Sequence, residues 1–257
     1  ASISKSFTAT GLMQLVEKGS LSLDDDVSEL IGFRIRNPKF PNTVITLRML
    51  LSHTSSINDD LGYFTLDVIH PEKNRYSKKA YNGYEPGKGY QYCNLNFNLA
   101  GAILEKHAGL RLDHYIKKNI LDPIEIYGGY NVDQLDGSRF AIIYDYDKGL
   151  AKFKPSPIAY ESKLKDSSTY VLGYSTPLFS PTGGMKISVP DLAKYMIMHM
   201  NLGKFGKQQL ISESSAQEMQ TPLIKENNYG LGLRQTKTLL PDILLKGHTG
   251  SAYGLYS

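Results

Sequence analysis

The chain has no tryptophan and a single cysteine, Cys93, among its 257 residues. One cysteine excludes an internal disulfide and therefore gives no redox address. No apolar run approaches the roughly 18–20 residues that a membrane span needs. Charge of one sign is not concentrated anywhere: the net charge is +4 and the basic residues are scattered, with the pairs Lys78-Lys79 and Lys117-Lys118 the densest spots. Such pairs read as solvated faces, which argues against a nucleic-acid partner. The six histidines show no HExxH or similar spacing, so neither a metal nor another cofactor is implied. The front of the chain also lacks the basic region and apolar core of a signal peptide.

Hydrophobic residues make up 41% and charged residues 21%, the balance of a globular chain long enough for one large domain or two smaller ones. Residues 2–18 predict a helix with Ile3, Phe7, Met13, Leu15 and Val16 mostly on one side, stopped at Gly19. Thr46 caps a short helix in "LRMLLSH", and residues 55–90 read as long polar loops, a length that is uncommon without a function. A helix from Asn94 to His107 follows the Pro86-Gly87 turn and closes at Gly109, and a shorter one in "RLDHYIKKNIL" ends before Pro123. Residues 125–180 suggest irregular strands. A helix with Pro190 in its first turn and a helix in "SESSAQEMQ" come next, and two strands, in "YGLGLRQ" and "ILLKGHTGSAYGLYS", close the chain.

Three short motifs carry chemistry. In Ser2-Ile3-Ser4-Lys5 the i and i+3 positions share a helix face, so the serine hydroxyl and the lysine amine can meet. A serine needs a neighbouring base, and a lysine serves if burial and a helix N-terminus lower its pKa. A second match, Ser162 to Lys165, lies in the charged stretch "YESKLKDSS" with no apolar face to anchor a helix. In Tyr92-Cys93-Asn94 a phenol and an amide stand at the mouth of a helix, where an ammonium would favour the phenolate. In His248-Thr249-Gly250 a strand can lie along a substrate: glycine permits close approach, the hydroxyl and a cation bind a carboxylate, and the next N–H joins an oxyanion hole. Each motif alone is as well explained by an amphipathic helix, a helix cap and a strand-end turn.

Their order and separation, with Tyr92 90 residues after Ser2 and His248 156 after Tyr92, resemble one family. It is the family of penicillin-recognising serine hydrolases that includes class C β-lactamases, D-Ala-D-Ala carboxypeptidases and related esterases. "ITLRMLLSHTSSI", "PGKGYQYCNLNFNLAGAILEKHAG" and "TGGMKISVPDLAKYM" support it. The resemblance implies an α+β, β-lactamase/transpeptidase-like fold. Residues 1–45 and 181–257 would be the remains of a lobe with an antiparallel sheet. Residues 46–180 would form a mainly helical lobe carrying Tyr92.

It also implies Ser2 as nucleophile, Lys5 in proton transfer and Tyr92 as general base or its partner. Asn94 would bind the substrate amide or Lys5, His248 and Thr249 the substrate carboxylate, with Gly250 beside them. The N–H groups of Ser2 and Ser251 would form the oxyanion hole. The substrate is expected to be a small molecule or peptide, D-Ala-D-Ala-like or an ester; the alternatives are a class C-type β-lactamase and a non-catalytic penicillin-binding or regulatory homologue. The expected location is exported, periplasmic or at the cell envelope.

Several residues depart from the pattern. His248 replaces a lysine and would hold a β-lactam carboxylate less firmly. Cys93 replaces a serine and reads as a packed small side chain rather than a nucleophile. Ser56 stands where the family has glycine, which predicts a reshaped loop, and Ser56-Ile57-Asn58 reads as a turn rather than a Ser-x-Asn motif. Helices and strands that the family carries on both sides of this region are absent, so the chain reads as the middle of a longer protein with sheet strands missing.

Overall fold

In the computed structural model residues 1–164 and 167–257 are described in full. Residues 1–3 form a turn in which the Ser4 and Lys5 amides donate to the Ala1 and Ser2 carbonyls, and the helix proper is α1, Ser4–Glu17. It is not one-sided as predicted: every residue from Ser4 to Leu15 is buried. The polar side chains on α1 tolerate this because each makes at least one hydrogen bond, with Gln14 Oε1 alone left unpaired among their buried atoms. The Thr8 hydroxyl donates to the Pro181 carbonyl, Thr10 pairs with the Tyr195 hydroxyl at 2.8 Å, and the Gln14 amide donates to the carbonyls of Asn119 and Leu210.

Around this axis lie α2 (Val27–Ile31), α3 (Leu47–Leu51), α4 (Asn94–Ala108), α5 (Leu112–Ile116), α6 (Val189–Met200) and α7 (Glu213–Gln220). Helix α4 packs along α1 so closely that a Cβ on Gly11 would stand 2.8 Å from Leu104 Cδ1. The expected caps form: Thr46 Oγ1 accepts from the Met49 amide ahead of α3, and Gly109 ends α4 in the left-handed conformation at φ +63°. The chain after α5 does not stop before Pro123. It continues through a π turn, Lys117–Leu121, into a 3-10 turn, Asp122–Ile124, because proline is tolerated in a first turn where its missing N–H has no role.

Strands are short and pair antiparallel in twos: β1 (Gly128–Gly129) with β4 (Lys186–Ile187), β2 (Tyr144–Asp147) with β3 (Lys152–Pro155), β5 (Lys204–Phe205) with β6 (Gln208–Gln209), β7 (Arg234–Thr236) with β8 (Leu245–Gly247), and β9 (Ser251–Ala252) with β10 (Leu255–Tyr256). The architecture is therefore α+β with a reduced antiparallel component. One hydrophobic cluster runs from Phe7 and Leu12 through Leu50, Phe97 and Ile116 to Met198 and Leu231, with no member among the described residues between Tyr130 and Leu178 or after Leu233. No helix among the described residues is long and apolar enough to cross a membrane.

Ser56 holds the glycine-type backbone itself, at φ +62°, with its hydroxyl accepting from Asn37 Nδ2 at 3.0 Å.

Candidate active site

The N-terminal end of α1 meets the start of α4 and the loop before β4. Lys5 is fully buried, and its Nζ lies 3.2 Å from Ser2 Oγ, 2.8 Å from Asn94 Oδ1 and 3.2 Å from the Thr182 carbonyl oxygen. Burial lowers its pKa from 10.5 to about 7, with the Asp59 carboxylate opposing the shift. The neutral amine has two N–H groups and one lone pair. Two of its three partners, an amide oxygen and a backbone carbonyl, can only accept. They take the two N–H groups, and the lone pair is left for the one partner able to donate, the Ser2 hydroxyl.

The orientation of Asn94 is fixed from behind. Its Nδ2 donates to Asp59 Oδ2 at 3.2 Å, so Oδ1 faces the lysine. Asp59 also caps α4, accepting from the Asn94 and Leu95 amides at 2.7 and 2.9 Å.

Tyr92 lies over Lys5 with its ring, whose centroid is 5.0 Å from Nζ. Burial raises its phenol to about 12, and the Ser2 hydroxyl draws it partly back. The phenolate expected beside an ammonium is thus not the favoured form at neutral pH, because burial holds the phenol protonated. Beneath Tyr92 lies His53, fully buried, with ring centroids 4.4 Å apart, and its Nδ1 accepts from the Cys93 amide. Burial holds His53 neutral. The Cys93 thiol donates to Asp59 Oδ1, and burial pushes its pKa well up, so it is a packed thiol rather than a nucleophile.

On the opposite side, β7 and β8 pair Arg234 with Gly247, which puts Arg234 beside His248. Gly250 passes so near Ser2 that a Cβ there would stand 2.7 Å from Ala1 Cβ and 3.1 Å from the Ser2 nitrogen. That close approach requires glycine. His248 Nδ1 lies 2.5 Å from the Thr249 carbonyl, and Nε2 lies 2.9 Å from the Tyr229 hydroxyl. Because a carbonyl only accepts, the proton sits on Nδ1 and Nε2 accepts from Tyr229. Burial lowers the pKa of His248 to about 4, so this position carries no charge at neutral pH.

The cleft between the two sides is about 440 Å³. Ser2, Tyr92, His248, Thr249, Gly250 and Ser251 line it as the sequence predicts, while Lys5 and Asn94 stand behind Ser2. Sequence reasoning missed Tyr90, Tyr229 and Tyr256, and it missed Arg234, whose guanidinium is the charged group among the lining side chains once His248 is neutral. It also missed Thr182, which contributes through its backbone, although the "PTGG" turn marked its loop. In the second Ser-x-x-Lys match Ser162 donates to Asp133, and Lys165 lies outside the described residues.

The beta-lactamase family model matches residues 1–257, and the chain belongs to that family. It is 31% identical over 159 residues to Penicillin-binding protein 4* of Bacillus subtilis, a match that covers 56% of this chain and 34% of that protein. Among solved structures, an octameric penicillin-binding protein homologue from Pyrococcus abyssi superposes with a TM-score of 0.73 at 30% identity, over 98% of this chain and 56% of that one. A D-stereospecific amidohydrolase from Streptomyces, at 24% identity and TM-score 0.70, shares the fold, over 99% of this chain and 75% of its own. The chain thus spans about a third to three quarters of the length of these three proteins.

Proposed function

We propose that the chain carries the active site of a serine hydrolase that transfers the acyl group of a small peptide or ester to water, with Ser2 as nucleophile. The observation that carries this reading is the Lys5 amine, lowered to about 7 and bonded so that its lone pair meets the Ser2 hydroxyl. Lys5 takes the Ser2 proton as Oγ attacks the carbonyl. The N–H groups of Ser2 and Ser251 receive the oxyanion. Tyr92, held as a phenol, passes a proton toward the leaving group. Water then attacks the acyl-enzyme and releases the acid.

Arg234 and Thr249, rather than His248, hold the substrate carboxylate. The D-Ala-D-Ala-type peptide or ester is the first reading; a β-lactam presents the same carboxylate to Arg234, so a class C-type β-lactamase is the second. With this function go the lobes expected for residues 1–45 with 181–257 and for 46–180, and an exported, envelope location.

Fluorophosphonate and fluorescent penicillin labelling tests the proposal. Covalent labelling that disappears in Ser2→Ala supports it. A folded wild-type protein labelled by neither probe is a non-catalytic homologue.

A further inference from the structure

Asp59 belongs to none of the motifs that mark the site, yet its carboxylate accepts four hydrogen bonds. Oδ1 takes the Leu95 amide at 2.9 Å and the Cys93 thiol at 3.2 Å; Oδ2 takes the Asn94 amide at 2.7 Å and the Asn94 side-chain Nδ2 at 3.2 Å. Capping α4 accounts for the two backbone bonds. The bond to Asn94 Nδ2 has a chemical consequence. A carboxamide has one donor end and one acceptor end. With the donor end held by Asp59, the acceptor end is the one presented to Lys5 Nζ, 2.8 Å away. Were the amide turned over, its NH2 group would face the lysine, and the lone pair that meets Ser2 would be drawn to Asn94 instead.

We propose that Asp59 is a positioning residue for the Ser2 reaction: acting through Asn94, it fixes which atom Lys5 meets and keeps the amine's lone pair on the nucleophile. This deepens the serine-hydrolase reading and rests on it. The carboxylate's charge acts in the same place, since it raises the proton affinity of Lys5 against the lowering by burial. The other titratable groups around the amine are Cys93 and Tyr92 before α4, His53 after α3, His248 on the strand side, and the Ala1 α-amino group.

The test is the pH dependence of the rate at which a fluorophosphonate labels Ser2 in the full chain. In that step Ser2 Oγ bonds to phosphorus, fluoride leaves, and the serine proton passes to Lys5, so deacylation plays no part. Asp59→Asn is expected to move the acid midpoint downward by on the order of one pH unit. It is also expected to slow the plateau rate roughly 10-fold to 100-fold. In an Asn94→Ala background the same substitution should leave the plateau nearly unchanged, because the residue through which it acts is gone. Asp59→Glu, which keeps the charge, should hold the midpoint.

A folded Asp59→Asn protein with the wild-type midpoint overturns the proposal, even if labelling is slower, because that is the behaviour of a helix cap alone. So does an equal loss of rate with and without Asn94. If Asp59→Asn loses near-UV circular dichroism, Asp59→Ser, a neutral residue still able to accept from the α4 amides, replaces it under the same criteria. A wild-type chain that is not labelled at Ser2 removes the parent reading instead, which separates the two failures.

Discussion

The two walls of the cleft are built by opposite means. On the helical wall Lys5, Asn94, Asp59 and the Thr182 carbonyl form a network whose polar atoms are bonded to one another, with Lys5 and Thr182 buried. On the strand wall Arg234, Thr249 and Ser251 are exposed, and they sit on strands of two or three residues or the turn between them. A buried, saturated network holds one geometry, because any atom that leaves its partner is stranded without water. An exposed wall of short strands can change side chains at small cost to the fold. Under the proposed function, the helical wall carries the chemistry and the strand wall the choice of substrate.

Breaking the helical wall should have the largest effect. Lys5→Met removes the base and should lower the acylation rate about 10²- to 10⁴-fold. The substitution also strands Asn94 Oδ1 and the Thr182 carbonyl, so the melting temperature should fall by a few degrees, the apolar side chain of similar length offsetting part of that loss. In the wild type, protonation of Lys5 removes the lone pair. The rate should therefore fall about tenfold per unit as pH drops below about 7, with no matching alkaline loss from Tyr92 until near 12. A rate that is flat from pH 5 to 9 would show that Lys5 is not the base.

The strand wall should give a smaller and more selective change. Arg234→Gln should reduce kcat/KM for substrates bearing a carboxylate by roughly 10- to 100-fold, the equivalent of a charged hydrogen bond of about 1.5–3 kcal/mol. Turnover of an uncharged p-nitrophenyl ester should be unaffected; equal losses on both substrates would contradict the division between the walls.

The smallest effect is expected beyond both walls, at Ser56. Ser56→Gly relieves a left-handed serine by about 1 kcal/mol but removes the hydroxyl that accepts from Asn37, a loss of similar size. The melting temperature should move by no more than about 4 °C, with activity intact.

The parts of the site legible in the sequence are those that occupy fixed local spacings. Ser2 and Lys5 are one turn apart, Tyr92 and Asn94 flank a helix start, and Gly250 follows its strand; the fold brings all of them to one cleft. Asp59 and Arg234 were not legible because their roles arise only in three dimensions. Asp59 caps a helix that begins 35 residues later, and Arg234 reaches the cleft through its pairing with Gly247. Thr182 acts through a backbone atom common to every residue type. The 18 tyrosines had no reading in one dimension; Tyr90, Tyr92, Tyr229 and Tyr256 lie far apart in the chain and converge on the cleft. In the fold, the one-sided pattern expected of α1 failed because its polar residues find partners inside, a compensation that hydrophobic periodicity does not register.

The burial of α1 from Ser4 to Leu15 has a thermal consequence. Many clefts sit on loops that loosen well before the body of the protein, so activity fades at temperatures where the fold still stands. Here Ser2, the proposed nucleophile, sits in the turn that leads into the enclosed stretch of α1. Its alignment and the cohesion of the core are one property. Warming should leave the alignment of Ser2 with Lys5 intact up to the calorimetric transition, so labelling of Ser2 by a fluorophosphonate and heat absorption should change together in a single event.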